Sequence, residues 1–247
     1  MKINKSKNTN KRLAGILFVL QVIFGTLPAV VLVIFALQSA NDGGKHYIWA
    51  YVCAAAIIMC GFAYIILSRK YNIIHSGLKG EKLLSKIAKK HKNDYNIFLN
   101  LPIRYKRNRS EIDMLMVSEN GILIVEVKNH SGTLVGSDKD EMWCQYKHYK
   151  DGRSTESEMK NPIKQISRQR DILKNILRSQ GYDVWIDGVV YFSNPMVRLK
   201  LGLSGVNSNV VSGEKELNRF IREYNPSKKI SSDDVDEIVK ILRKMLQ

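Results

Sequence analysis

IDMLMVSENGILIVEVK, residues 112–128, sets two apolar runs on either side of Ser118-Glu119-Asn120-Gly121. An Asn-Gly pair between alternating apolar runs marks a β-hairpin. On the second run, alternation puts Ile122, Ile124, Glu126 and Lys128 on one face and Leu123, Val125 and Val127 on the other. With Asn120 and Gly121 as the loop, Glu119 pairs with Ile122 and Asp113 with Lys128. Moving the loop back by one residue pairs Asp113 with Glu126 instead. Residues directly opposite share a face, so either register converges Asp113, Glu126 and Lys128. An odd-length loop with a bulge breaks this inference.

Two carboxylates a few ångströms apart repel unless a cation lies between them, and hard oxygen ligands suit Mg2+ or Mn2+. Such an ion neutralises a phosphate and helps deprotonate an attacking water. A neighbouring lysine orients that water and offsets developing charge. The same three residue types also form ordinary salt bridges across hairpins, so the spacing alone does not decide.

Outward from the hairpin, residues 71–247 read as one α/β domain without repeats. Gly77-Leu78-Lys79-Gly80 precedes a helix over 79–91, and NIFLNLPIRY at 96–105 is extended. Thr133–Gly136 and Met142–Tyr146 are further strands. Asn161-Pro162 opens a helix to about Ser179, with Asn as the cap and Pro at the first position. Val184–Phe192 is an apolar strand, and helices follow near 213–223 and 231–246.

Glu81 falls on the apolar stripe of its helix, with Leu84 and Ala88 at i+3 and i+7. A carboxylate there needs a partner or a metal, although an acidic residue near a helix N-terminus is favoured in any case. Gln165, one turn inside its helix, is suited to hold a phosphate or water, but on its own reads more often as a surface residue. Trp143 is a core or sheet-covering aromatic. Arg104, Lys106, Arg107 and Arg109 lead into the strand of Asp113, either as a solvated loop or as a phosphate-backbone contact.

Toward the N-terminus, residues 13–37 contain no ionisable side chain and residues 47–67 form a second uncharged run, each long enough to span a bilayer as a helix. Lys2, Lys5, Lys7, Lys11 and Arg12 precede the first run, and Arg69 and Lys70 follow the second. Cationic flanks stay inside, so both termini are expected in the cytoplasm, with the loop Gln38–His46 outside. The expected division is a basic cytoplasmic tail (1–12), a transmembrane hairpin (13–67) and a folded domain (71–247). The chain's formal charge is +16, of which residues 69–247 contribute +11. Nucleic acid and anionic membrane lipids are both attracted by such a domain. Cys53, Cys60 and Cys144 have neither disulfide nor zinc spacing.

The ordered blocks GLKGE (77–81), EIDMLMV (111–117), NGILIVEVKNHSGTLVG (120–136), Trp143 and NPIKQ (161–165) resemble the nuclease-related domain family over about residues 73–195. That family is related to the PD-(D/E)xK nucleases. The resemblance implies a restriction-endonuclease-like core, a central mixed sheet flanked by helices, behind the two-helix anchor. It assigns Asp113 to the acidic residue of the first half-motif and Glu126 and Lys128 to the second. Glu81 matches the helix glutamate and Gln165 the helix glutamine. Ile112 stands where the pattern has proline. The implied metal ligands are Asp113, Glu126, the Val127 carbonyl and Glu81, around Mg2+ or Mn2+. The expectation is a membrane-anchored nuclease acting on DNA in preference to RNA, with Arg104, Lys106, Arg107 and Arg109 on the nucleic acid. The competing expectation is a membrane-associated nucleic-acid-binding or scaffold module without catalysis.

Overall fold

A computed structural model of the chain describes residues 3–5, 9–41, 47–149, 151–204, 209–226 and 228–246. The chain divides into two compact units, one of residues Asn8–Leu78 and one of Met1–Lys7 with Lys79–Gln247.

The first unit holds α1 (Thr9–Asn41) and most of α2 (Tyr47–His91). Both are long and apolar enough to cross a membrane, with mean hydropathies of 2.6 and 2.3 over their most apolar stretches. Few side chains in those stretches are buried, and Ile16, Phe18, Val33, Ile58 and Phe62 are exposed. Helices apolar on all sides are the kind that lipid covers. The polar loop expected over Gln38–His46 is partly helical, since α1 continues to Asn41; residues 42–46 lie outside the described residues. Lys2 and Lys7 of the basic tail lie outside them too.

The second unit is α/β. Its remaining elements are β1 (Ile3–Lys5), β2 (Asn96–Tyr105), β3 (Asn108–Ser118), β4 (Gly121–Lys128), β5 (Gly132–Ser137), β6 (Met142–His148), β7 (Ser154–Lys160), α3 (Pro162–Arg178), β8 (Ile186–Phe192), β9 (Val197–Gly202), β10 (Asn209–Ser212), α4 (Gly213–Glu223) and α5 (Ser232–Lys244). Among the described residues a mixed sheet runs β1-β2-β3-β4-β8-β10, and a smaller one runs β7-β6-β5-β9. In the larger sheet β2, β3 and β4 are antiparallel, while β1, β8 and β10 join in parallel.

Both faces of the larger sheet are covered. On one side Phe98, Leu115, Ile122, Ile124 and Phe192 pack with Ile163, Ile166 and Leu173 of α3 and Ile238 and Leu242 of α5. On the other, Ile97, Met114, Leu123, Val125 and Val189 pack with Leu84 and Ile87 of α2 and Leu217 and Ile221 of α4. Each fully buried side chain of this size contributes about 1.5–3 kcal/mol. That is why β4 reads as a nearly unbroken apolar run.

Several boundaries differ from the sequence expectation. Residues 3–5, within the expected tail, form β1 alongside β2. Three residues, two of them polar and Lys5 exposed, carry no usable periodicity. The helix expected over 79–91 is the last part of the unbroken α2, which passes through Gly77 and Gly80. The missing Cβ at Gly80 lets Val127 pack closely against the helix, where a side chain would crowd the valine. Strand β7, STESEMK, is almost wholly exposed and carries too few strand-favouring residues to be legible, and β10 is only four residues long; β9, VRLKLG, does alternate apolar and polar residues and was a usable signal.

The smaller sheet closes over Trp143, which is fully buried, stacks on Phe192 with 6.4 Å between centroids, and donates its indole N–H to the Ser137 carbonyl at 2.7 Å. The core reading of Trp143 is therefore correct. Gly136 lies flat against that indole, and a Cβ there would overlap the ring. Because the ring is rigid and enclosed, Gly136→Ala should destabilise the fold by about 1–3 kcal/mol. Chemical denaturation of the full chain in detergent checks this, and an unchanged midpoint would contradict it.

Candidate active site

The hairpin adopts the second of the two expected registers. Ser118 pairs with Gly121 and Met114 with Val125, which brings Asp113 opposite Glu126. The ladder stops at Met114 and Val125, and the Val127 N–H donates to Asp113 Oδ2 at 2.8 Å instead of to a β3 carbonyl. In a strand the N–H and C=O of one residue point the same way. The Val127 carbonyl is thus also directed to the side where β3 has parted from β4.

Glu126 is 2% exposed, and both of its oxygens are engaged. Its Oε1 accepts from Lys128 Nζ at 2.7 Å, and its Oε2 from Gln169 Nε2 at 2.8 Å. Lys128 Nζ also donates to Gln165 Oε1 at 2.9 Å. Gln165 is held there by the start of α3. The Asn161 side chain caps that helix by accepting from the Ile163 N–H, and its amide donates to the Ser137 and Asp140 carbonyls at 3.1 and 2.7 Å. The helix carrying both glutamines is thereby pinned to the loop after β5.

Glu81, on α2, accepts from Asn100 Nδ2 at 3.0 Å. Asn100 sits inside β2 opposite Asp113, buried, with a left-handed φ of 54°. Past this point the strand pair turns over. Ile97 and Leu99 pack on the α2 side, whereas Leu101 and Ile103, of the same parity, pack on the α3 side. On β3, Met114 and Ile112 exchange sides in the same way. A crease of this kind re-aims a side chain and ends pairing, as bulges do next to active sites.

Electrostatics follow from the crowding. Burial pushes the Asp113 carboxyl well above its ordinary range, and the Glu126 charge adds to this; the Val127 N–H and Lys128 oppose it. Glu111 is raised as well, by burial first and then by Glu81 and Glu126. His130 is lowered, mainly by burial, with Lys128 and Lys147 contributing. Its Nδ1 lies 3.3 Å from Gln145 Oε1, and Gln145 Nε2 donates to the Ser131 carbonyl at 2.7 Å. That second bond fixes the amide, so His130 Nδ1 is the protonated nitrogen.

Asp113, Glu126, Lys128 and Gln165 are thus brought together, and Glu81 acts on the same cluster through Glu111. Arg104, Lys106, Arg107 and Arg109 are not in it. They lie exposed around the Lys106-Arg107 turn that joins β2 to β3. Arg109 is four residues from Asp113, about 13 Å along an extended strand. Arg168 of α3 reaches this region through the Arg109 carbonyl, at 3.2 Å.

Three residues escaped the sequence reading. Gln169 repeats Gln165 one turn on, a polar residue on an otherwise apolar helix face, and that spacing was a usable signal. Glu111 precedes Asp113 by two residues. Asn100 gives no signal, because nothing local marks a buried asparagine inside a strand.

The donor set is one of hard oxygens: Asp113, Glu126, the Val127 carbonyl and Glu81, with Glu111 beside them. Among the described residues no three His, Cys, Asp or Glu side chains are grouped so as to hold a metal ion. Burial first, and neighbouring negative charge after it, make Asp113 and Glu111 weaker acids; a divalent cation would offset that, and in that sense the residues fit Mg2+ or Mn2+.

Residues 76–193 match the sequence profile of the nuclease-related domain family, NERD. This segment is a nuclease-related domain. It runs from the end of α2 through β8 and contains Glu81, Asp113, Glu126, Lys128 and Gln165. A stretch of 71 residues, 28% of the chain, is 31% identical to an uncharacterised protein of Bacillus anthracis, and spans 34% of that protein's length. A crystal structure of a Vibrio cholerae protein aligns over 96% of this chain and 54% of its own, at 13% identity and a TM-score of 0.26, a likeness too slight to argue from.

The nuclease-related domain should show the strain of its carboxylates in its pH dependence. The native Asp113 holds its proton to higher pH than the unfolded chain does, so stability falls as pH rises from about 4 through its raised value. Asp113→Asn keeps an acceptor for the Val127 N–H and removes the charge. In chelator near neutral pH it should melt above wild type, with the difference shrinking toward pH 4. Thermal denaturation across that range is the check; a lower melting point at neutral pH would contradict it.

Proposed function

We propose that this chain is a metal-dependent phosphodiesterase that cuts nucleic acid, DNA in preference to RNA, while held at the cytoplasmic face of a membrane. One observation carries the reading: in a nuclease-related domain, Lys128 stands between Glu126 and Gln165 and beside a crowded Asp113. Mg2+ or Mn2+ would be held by Asp113, Glu126, the Val127 carbonyl and Glu81. When bound, the ion supplies charge neutralisation at the phosphate and acidifies the attacking water. Lys128 carries a cation at 21% side-chain exposure, within reach of solvent, where it orients the water and offsets charge on the phosphate. Gln165 fixes the Lys128 ammonium, and Gln169 fixes the Glu126 carboxylate from behind. The exposed cations Arg104, Lys106, Arg107 and Arg109 track the phosphate backbone. The two apolar helices hold the domain at the membrane, with their cationic flanks on the cytoplasmic side.

A second reading is favoured by the engagement of both Glu126 oxygens: a domain that keeps the fold and binds nucleic acid without cutting it. The full chain in detergent, with Mg2+ or Mn2+, separates the two on single-stranded, duplex and branched substrates. Cleavage should need the metal, and Lys128→Ala should lower it at least about a hundredfold. Metal binding without cleavage of any of these substrates would overturn the nuclease reading. In that case salt-dependent binding that survives Asp113→Asn and Glu126→Gln would mark the binding module.

A further inference from the structure

We propose that Asn100 is the positioning residue of the acidic site: it turns Asp113 toward Glu126 and holds Glu81 beside them. The proposal rests on the metal-dependent reading above and adds a residue that neither the motif nor the family pattern contains.

Among the described residues, Asn100 and Lys106 are the non-glycine residues with left-handed backbone, at φ 54° each. Lys106 is in a two-residue hairpin loop, where that conformation is ordinary. Asn100 is inside a ten-residue strand and 6% exposed. A strained backbone in such a place persists only if its surroundings hold it, and such strain clusters at functional sites.

Three consequences meet at this residue. Its backbone reverses the facing of β2, so Leu99 and Leu101 pack on opposite sides of the sheet. The partner strand reverses at Asp113, the residue directly across from it, and there the β3–β4 ladder ends. Its side-chain amide donates to Glu81 Oε2 at 3.0 Å. One side chain thus joins the strand crease to the helix glutamate.

The residue type matches the task. Asparagine tolerates the left-handed region better than other non-glycine residues. Its amide gives a carboxylate a donor without adding charge to a cluster that already holds Glu81, Glu111, Asp113 and Glu126. Aspartate would tolerate the backbone and repel Glu81. Glycine would tolerate the backbone and leave Glu81 without this donor.

The test is a double-variant cycle on the full chain in detergent, read by Mn2+ titration calorimetry with thermal midpoints alongside. Asn100→Gly keeps the crease, so the protein should remain folded with a midpoint close to wild type. Its Mn2+ affinity should fall about tenfold, as for other residues that orient a ligand. Glu81→Gln should also weaken binding, and adding Asn100→Gly to it should change little, because both act through the same contact. Equal Mn2+ affinity in Asn100→Gly and wild type, or losses that simply multiply in the double variant, would overturn the role of Asn100. A wild-type chain that binds no Mn2+ would overturn the metal-dependent reading itself, and this proposal with it.

Discussion

The structure around the site depends on the end of the β3–β4 ladder, where a side chain replaces the backbone as hydrogen-bond acceptor. A buried N–H must be paired, and the Val127 N–H finds its partner in the Asp113 carboxylate. That substitution brings Asp113 within reach of Glu126 and directs the Val127 carbonyl out of the sheet. It also forces like charges together in a poorly solvated place, which raises Asp113 and Glu111. Regular strand pairing would be cheaper for the fold. The departure from it, on both β2 and β3, coincides with the cluster of acidic residues.

The surrounding elements make sense as supports for this one irregularity. The α3 helix is fixed by the Asn161 cap and delivers two glutamines a turn apart, one to Lys128 and one to Glu126. Gln169 also accepts a share in holding β3, since its amide donates to the Glu111 carbonyl at 2.8 Å. The last part of α2 approaches β4 closely at Gly80 and so presents Glu81. The core on both faces of the sheet then leaves these groups little freedom, as a preorganised site requires.

Much of this was readable in the residues, and the limits have physical causes. The hairpin was legible because the apolar alternation and the turn act locally; its register was not, because Asn120-Gly121 and Glu119-Asn120 are both workable two-residue loops. Parity placed Asp113 with Glu126 and Lys128, and the register found in the structure agrees. Asn100 was illegible because its role depends on a helix nineteen residues earlier in the chain and on a strand across the sheet. The same applies to β1, whose three residues become a strand only because β2 offers them an edge. Strand β7 is almost wholly exposed, so polar residues mask its pattern, whereas β9 alternates as VRLKLG and was legible.

The apolar helices, long enough to cross a membrane, and the nuclease-related domain are separate physical problems, and the second is solved by a two-sided core. The central claim concerns the second: that the crowded carboxylates exist to receive a divalent cation. A crystal structure of the full chain grown with Mn2+, with anomalous differences measured, addresses it most directly. The account predicts a peak bounded by Asp113, Glu126 and the Val127 carbonyl, with Lys128 loosened from Glu126. A map without that peak, and with the Lys128–Glu126 pair intact at saturating Mn2+, would contradict it.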